Sequence, residues 1–140
     1  MDGEAGALEA RIRASFDKQP MMRTLGAELA SVVPGEVKIR APITDAVRQH
    51  TGVAHAALSF ALGDTAAGYS ALTTMAEGAE VVTAEIKINL IAAASGDYLI
   101  ATGRVVKPGR RLVVVTAVVE AVTGSVRREV AILQGTMVPV

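Results

Sequence analysis

Cysteine and tryptophan are absent from the 140 residues, and phenylalanine and tyrosine occur only twice each. Without cysteine there is no disulfide framework, no thiolate nucleophile and no cysteine-ligated metal. With 3% aromatics there is no row of rings on which a single-stranded nucleic acid could stack. Net charge is missing as well. The 14 basic residues balance 14 acidic ones, which removes the electrostatic reason to expect nucleic acid or a membrane surface as a partner. No apolar run reaches the ~18 residues of a membrane span. The opening MDGEAGALEARIRASF carries Asp2, Glu4 and Glu9 and does not read as a secretory signal. No metal is expected, because His50 and His55 lack a close cluster of acids. The chain has no G-x-S-x-G elbow, P-loop or dinucleotide fingerprint, and Ser59 and Ser70 have no evident base. The expectation is a soluble cytoplasmic protein.

What the sequence has in quantity is small and aliphatic residues. Apolar types make up 51% and charged types 20%, a balance that suits one globular domain over 1–140. Leu8, Ile12 and Phe16 recur every four residues and predict an amphipathic helix over 4–18, ended by Gln19-Pro20. Pro34-Gly35 divides two strand-like runs, 25–33 and 36–42, which predicts a hairpin. Residues 41–53 read as a loop. Residues 53–75 then predict a long helix, with Ala54, Leu58, Leu62 and Ala66 as a stripe at i, i+4, closed by Glu77-Gly78. After Gly78 the period drops to two. Val82, Ala84, Ile86, Ile88 and Leu90 are expected on one face of a strand, and Thr83, Glu85, Lys87 and Asn89 on the other. Turns at Ser95-Gly96-Asp97, Lys107–Arg111 and Thr123-Gly124-Ser125 separate three more strands, and the last four strands read as an antiparallel meander. One long helix with about six strands predicts an α+β fold with the sheet curled around the helix. The run LVVVTAVVEAV is apolar on both faces, so a second copy of the chain is expected to cover the outer one.

Asp64 is the anomaly of the long helix. Its neighbours Ala61, Leu62, Gly63, Thr65, Ala66, Ala67 and Gly68 are small or apolar. A carboxylate there is either a solvated or loop-capping residue, or it borders a cleft; an ionised group among such neighbours needs partners or water. His55, at the start of the helix, is either structural or functional. Nine residues at 100° each place His55 and Asp64 on opposite sides of the helix, about 13 Å apart along the axis. They cannot form a dyad within one chain, so a site using both has to be shared between two copies. The first amides of a helix are unpaired and carry positive partial charge. The Ala56 N–H is therefore a candidate donor to a carbonyl oxygen or oxyanion. Lys107, Arg110 and Arg111 form a basic turn that reads equally as a solvated hairpin tip or as an anion contact.

The order Gln49, five residues, His55-Ala56-Ala57, six residues, Asp64-Thr65-Ala66 resembles the hotdog-fold acyl-CoA thioesterases, in particular the PaaI-like branch of the phenylacetate pathway. The downstream EVVTAEIKINLIAAASGDYLIATGRVVKPGRRLVVV is similar to the same branch strand by strand. The resemblance implies a hotdog fold, an antiparallel sheet of about six strands wrapped around one long central helix, here with a short N-terminal helical extension at 1–20. It implies hydrolysis of an acyl- or aryl-acyl-CoA to free acid and coenzyme A, with no cofactor, in a homodimer or homotetramer. Asp64 would act as general base or nucleophile, and the Ala56 N–H would polarise the thioester carbonyl from the opposing subunit. His55 and Gln49 would orient the site. Ala57, Thr65, Gly68 and Asn89 would line the substrate site, and Lys107, Gly109, Arg110 and Arg111 would lie near the nucleotide and phosphates of coenzyme A. The chain departs from the family where His-Gly-Gly becomes His55-Ala56-Ala57, where Arg-Pro becomes Ala92-Ala93, and at Gly68, which lacks a hydroxyl that some relatives carry. A non-catalytic acyl-CoA-binding or assembly module on the same fold is the alternative. A hotdog dehydratase, which needs an acid and a histidine converging on a 3-hydroxyacyl chain, fits this spacing less well.

Overall fold

Pro34-Gly35 does turn the chain: Gly35 takes φ +79°, and the strands on either side, β1 (Glu28–Val33) and β2 (Glu36–Pro42), pair antiparallel. The computed structural model describes residues 2–140. The helix predicted over 4–18 is α1 (Asp2–Phe16), with Ile12 and Phe16 buried. Gln19-Pro20 ends it and also begins a second short helix, α2 (Pro20–Thr24), because proline is well placed at the first helical position. Gly26, at φ +67°, then delays the start of β1. The loop after β2 is partly ordered by a 3-10 turn at Asp45–Val47 and by a bridge between Arg48 and Ala54.

The long helix is α3 (Ala56–Leu72), 17 residues rather than the 23 expected. It starts at Ala56 because His55 is extended, at φ −63° and ψ 143°, and caps the helix. After Leu72 the bonding tightens, with the Thr74 N–H on the Ala71 carbonyl at 3.0 Å and the Met75 N–H on the Leu72 carbonyl at 3.1 Å, so the last turn is no longer α-helical. Ala54, Leu58, Leu62 and Ala66 are buried as their spacing predicts. Four strands follow: β3 (Val81–Leu90), β4 (Tyr98–Lys107), β5 (Val113–Thr123) and β6 (Val126–Pro139). The sheet is wholly antiparallel, in the order β1-β2-β4-β5-β6-β3, and α3 lies across its inner face.

Two expectations about these strands need correction. The last four strands are not a meander. Only β4, β5 and β6 follow one another, and β3 pairs with β6 at the far edge. Consecutive strands are neighbours in about two-thirds of cases, but here β2 occupies the side of β4 that β3 would need. The connection from β3 to β4 instead runs past the end of the sheet. Its bonds mark the route: the Ile91 N–H to the Val130 carbonyl at 2.9 Å, Ala94 to the entrance of α3, and the Asp97 carbonyl to the Ile43 N–H at 3.0 Å.

The alternation in β3 also breaks. The register with β6 slips between Thr83 and Glu85, so Ala84 is an extra residue and side-chain parity inverts there. Ile86 and Ile88 pack on the core as predicted. Upstream of the bulge, however, it is Val81 that packs on the core and Thr83 that turns inward, while Val82 is 45% exposed. Gly135 permits this, since a Cβ on it would overlap the Glu85 carbonyl and press on Ile86. Gly103 plays a similar part where α3 crosses β4. A Cβ there would overlap the Ala66 carbonyl and the Ala67 amide, so helix and strand backbones touch directly.

Along β5 the residues Val113, Val115, Ala117, Val119 and Ala121 are buried beneath α3, and Val114, Thr116, Val118 and Glu120 are half-buried on the outer face. That face forms a concavity of about 640 Å³ with Asn89, Ile132 and Gln134 on its walls. Among the described residues no helix is long and apolar enough to cross a membrane.

Candidate active site

Asp64 sits in the middle of α3, half-buried, on the wall of a cleft of about 290 Å³. Thr65 and Gly68 line the same cleft, together with Tyr69, Val81, Thr83 and Met137. One carboxylate oxygen, Oδ1, accepts a 2.7 Å hydrogen bond from the Thr83 hydroxyl; among the described residues Oδ2 has no partner. Ser15 and Gln19 close one side. The Gln19 side-chain amide donates to the Tyr69 hydroxyl at 2.7 Å, and the Ser15 hydroxyl shares a 3.0 Å bond with it. The tilted pair Phe16–Tyr69, with centroids 6.2 Å apart, backs this polar corner. Arg11 fixes α1 further along by donating to the Leu72 carbonyl at 2.8 Å, at the C-terminal end of α3, where a cation complements the helix dipole. The N-terminal extension is thus a wall of the Asp64 cleft.

The start of α3 is differently built. His55 is its N-cap, in an extended conformation, and its Nδ1 accepts from the Ala57 N–H at 2.9 Å. An Nδ1 that accepts is unprotonated, so a neutral His55 carries its proton on Nε2. The Leu58 N–H bonds the His55 carbonyl at 2.9 Å. The Ala56 N–H is left without a partner among the described residues, on an exposed residue. Among the described residues none other than glycine has positive φ, so Ala56-Ala57 stands in ordinary helical geometry.

Gln49 and Ala56 border one cleft of about 330 Å³, with Ala92 and Ala93 opposite. Gln49 is half-buried, and its Oε1 accepts from the Thr51 N–H at 2.9 Å. His55 and Ala57 border another cleft of about 310 Å³, with Met21, Leu25 and Arg48. The residues that the spacing singled out therefore fall into separate groups within one chain: Asp64 with Thr65 and Gly68, Ala56 with Gln49, and His55 with Ala57. Ala56 and Asp64 are about 12 Å apart along the helix axis.

Asn89 lies on the outer face of the sheet, away from all three clefts. Lys107, Gly109, Arg110 and Arg111 are exposed in the β4–β5 turn. Gly109 is required there because a Cβ would overlap the Leu112 carbonyl. None of the three cations forms an ion pair among the described residues.

Sequence reading misses Thr83, Tyr69, Ser15 and Gln19. Thr83 falls on the solvent side of a regular alternation, and only the bulge at Ala84 brings it to Asp64. The other three meet across separations of more than 45 positions, which no local pattern reveals.

The signature of the thioesterase superfamily matches residues 51–127. A thioesterase family protein from Silicibacter pomeroyi is 36% identical, with 95% of this chain and 98% of that one covered and a TM-score of 0.92. The PaaI protein of the Escherichia coli phenylacetic acid degradation operon is 20% identical, with 97% and 95% covered and a TM-score of 0.85. BH2602 from Bacillus halodurans, solved with CoA, is 20% identical, with 99% and 89% covered and a TM-score of 0.76. The last two comparisons speak to the fold alone. No curated relative matches at the level of sequence. A long helix cupped by a six-stranded antiparallel sheet, together with these matches, defines a hotdog-fold thioester hydrolase. The chain belongs to the thioesterase superfamily.

Proposed function

We propose that the protein hydrolyses acyl-CoA thioesters to free acid and coenzyme A, without a cofactor, at a site that two copies of the chain complete together. The observation that carries this reading is the Asp64 carboxylate: half-buried, held at one oxygen and open at the other, on a cleft of about 290 Å³. As general base, Asp64 takes a proton from water while the water oxygen attacks the thioester carbon. The carbonyl oxygen becomes an oxyanion, which accepts from the unpaired Ala56 N–H of the second copy. The C–S bond then breaks, the acid is released, and the thiolate takes up the proton. As nucleophile, Asp64 attacks the same carbon, expels the thiolate and forms an anhydride that water cleaves. Both routes need one free carboxylate oxygen. The unpaired cations Lys107, Arg110 and Arg111 suit the phosphates of coenzyme A.

A thiol-release assay on short, long and aryl acyl-CoAs tests the reading. Asp64→Asn is expected to lower turnover by about 10²–10⁴-fold. Wild-type turnover in that variant, or saturable acyl-CoA binding by the native protein without any thiol release, refutes it; the second result supports a binding or assembly module instead. Light scattering checks the shared site, which a stable monomer would abolish.

A further inference from the structure

We infer that Ser15, Gln19 and Tyr69 select the acyl group, and that the group they select is short and ends in a neutral oxygen, a hydroxyl or a carbonyl. This rests on the hydrolytic reading above and names the substrate class of the same site. The cleft beside Asp64 measures about 290 Å³, at the small end of ligand pockets, which run from about 300 Å³ upward. That suits a short acyl group. Asp64 and Glu80 are the charged residues on its wall, and among the described residues no lysine, arginine or histidine borders it. An acyl group ending in a carboxylate would meet two acids there and no cation.

The far wall is the polar corner that the N-terminal extension brings to α3. Tyr69 follows Asp64 by five positions, about 7.5 Å along the axis. An extended chain advances about 1.2 Å per bond, so about six bonds cover that distance. The path between them is open because Gly68, one turn after Asp64, has no side chain. Packing does not demand glycine there: a Cβ would meet only the Met137 sulfur, at 3.9 Å, an ordinary contact. Alanine would be the better helix former, so this glycine leaves space rather than relieving strain.

Proton counting at the corner supplies the donor. The Gln19 amide donates to the Tyr69 hydroxyl at 2.7 Å, and the Ser15 and Tyr69 hydroxyls lie 3.0 Å apart. Each hydroxyl has one proton to give. Whichever of the two donates to the other, one proton is left without an acceptor among the described residues. All three residues border the cleft, and Tyr69 is 3% exposed. A donor in so buried a corner is costly when unpaired. An oxygen at the end of the acyl group satisfies it, whereas a methyl end leaves it unpaired. The Gln19 Oε1 has no partner among the described residues either, so a terminal hydroxyl, which donates as well as accepts, is served twice.

Thiol release from hexanoyl-CoA, 6-hydroxyhexanoyl-CoA and adipoyl-CoA tests the inference, since these acyl groups differ only at the far end. The native protein is expected to show a kcat/KM about 10-fold higher for the hydroxy ester than for the plain one, the scale of one net hydrogen bond, and the lowest value for adipoyl-CoA. Ser15→Ala combined with Tyr69→Phe removes both hydroxyls and keeps shape, and the ratio of hydroxy to plain ester is expected to fall to about one. Thermal unfolding is followed alongside. Should that variant unfold, Gly68→Val decides, because it fills the path to the corner: the hydroxy ester is expected to lose about 10-fold more kcat/KM than acetyl-CoA. Equal native kcat/KM for the hydroxy and plain esters, a preference for adipoyl-CoA, an undiminished ratio in the double variant or an equal loss for both esters in Gly68→Val overturns the inference. No thiol release from any of these esters would sink the hydrolytic reading and the selectivity with it; release without discrimination would sink the selectivity alone.

Discussion

Across its first turn α3 exposes His55, Ala56 and Ala57, whereas from Ala66 to Leu72 every residue is buried. Both stretches are rich in alanine, so composition does not make the difference. The second half is enclosed because β4 meets it backbone to backbone at Gly103 and α1 covers its other side through Ile12, Phe16 and Arg11. The first turn stays open because the preceding loop is held by Ala94 and Val47, which turn the helix start outward with one amide unpaired. A polarising donor works only where a carbonyl can approach it, and a reacting acid gains from walls that order its surroundings. In the proposed reading the exposed first turn serves the first need and the half-buried Asp64 the second, which is why a site that uses both calls for a second copy.

Asp64→Asn, with the large loss given above, removes the acid in the half-buried middle of the helix. The open end can be removed without disturbing its shape. Ala56→Pro deletes the amide donor at the first helical position, where proline is tolerated, and His55 is already extended as a residue before proline should be. The expected outcome is a loss of about 10²–10³-fold in kcat, the usual scale for one oxyanion donor, with an unchanged unfolding midpoint. Native kcat in this variant would show that the tip plays no part.

The enclosure itself is tested by Gly103→Ala, which drives a methyl into the backbone of α3. A destabilisation of about 1–3 kcal/mol is expected from denaturant unfolding. Gly63→Ala is the milder control, because its Cβ meets the Leu133 side chain, with the methyls at 2.7 and 2.9 Å, and side chains can move. The smallest effect is at the cap. His55→Ala should cost about 1 kcal/mol, and His55→Asn, itself a good N-cap, should restore most of it. Equal stability of His55→Ala and the native chain would show that the cap contributes nothing.

Much of the architecture is legible from local patterns. The bounds of β2 are read correctly as Glu36–Pro42, because Pro34-Gly35 and the alternation of Val37, Ile39 and Ala41 are local signals. The long helix, its buried stripe and the oddity of Asp64 within it are equally plain. The pairing of β3 with β6 is not, nor is the bulge that turns Thr83 inward, because strand order and register depend on partners more than 40 positions away. The same holds for Tyr69, whose hydroxyl finds Ser15 and Gln19 only when α1 docks.

Periodicity, spacing and turn residues by themselves determined that this chain makes a helix of small residues carrying one acid, and strands to wrap it, since each follows from the chemistry of near neighbours. Tertiary structure alone decided which oxygen of that acid is held, which amide is left free and which wall each cleft receives. Those outcomes rest on contacts between distant segments, where inserting a single residue in a strand reverses which side chains face the helix.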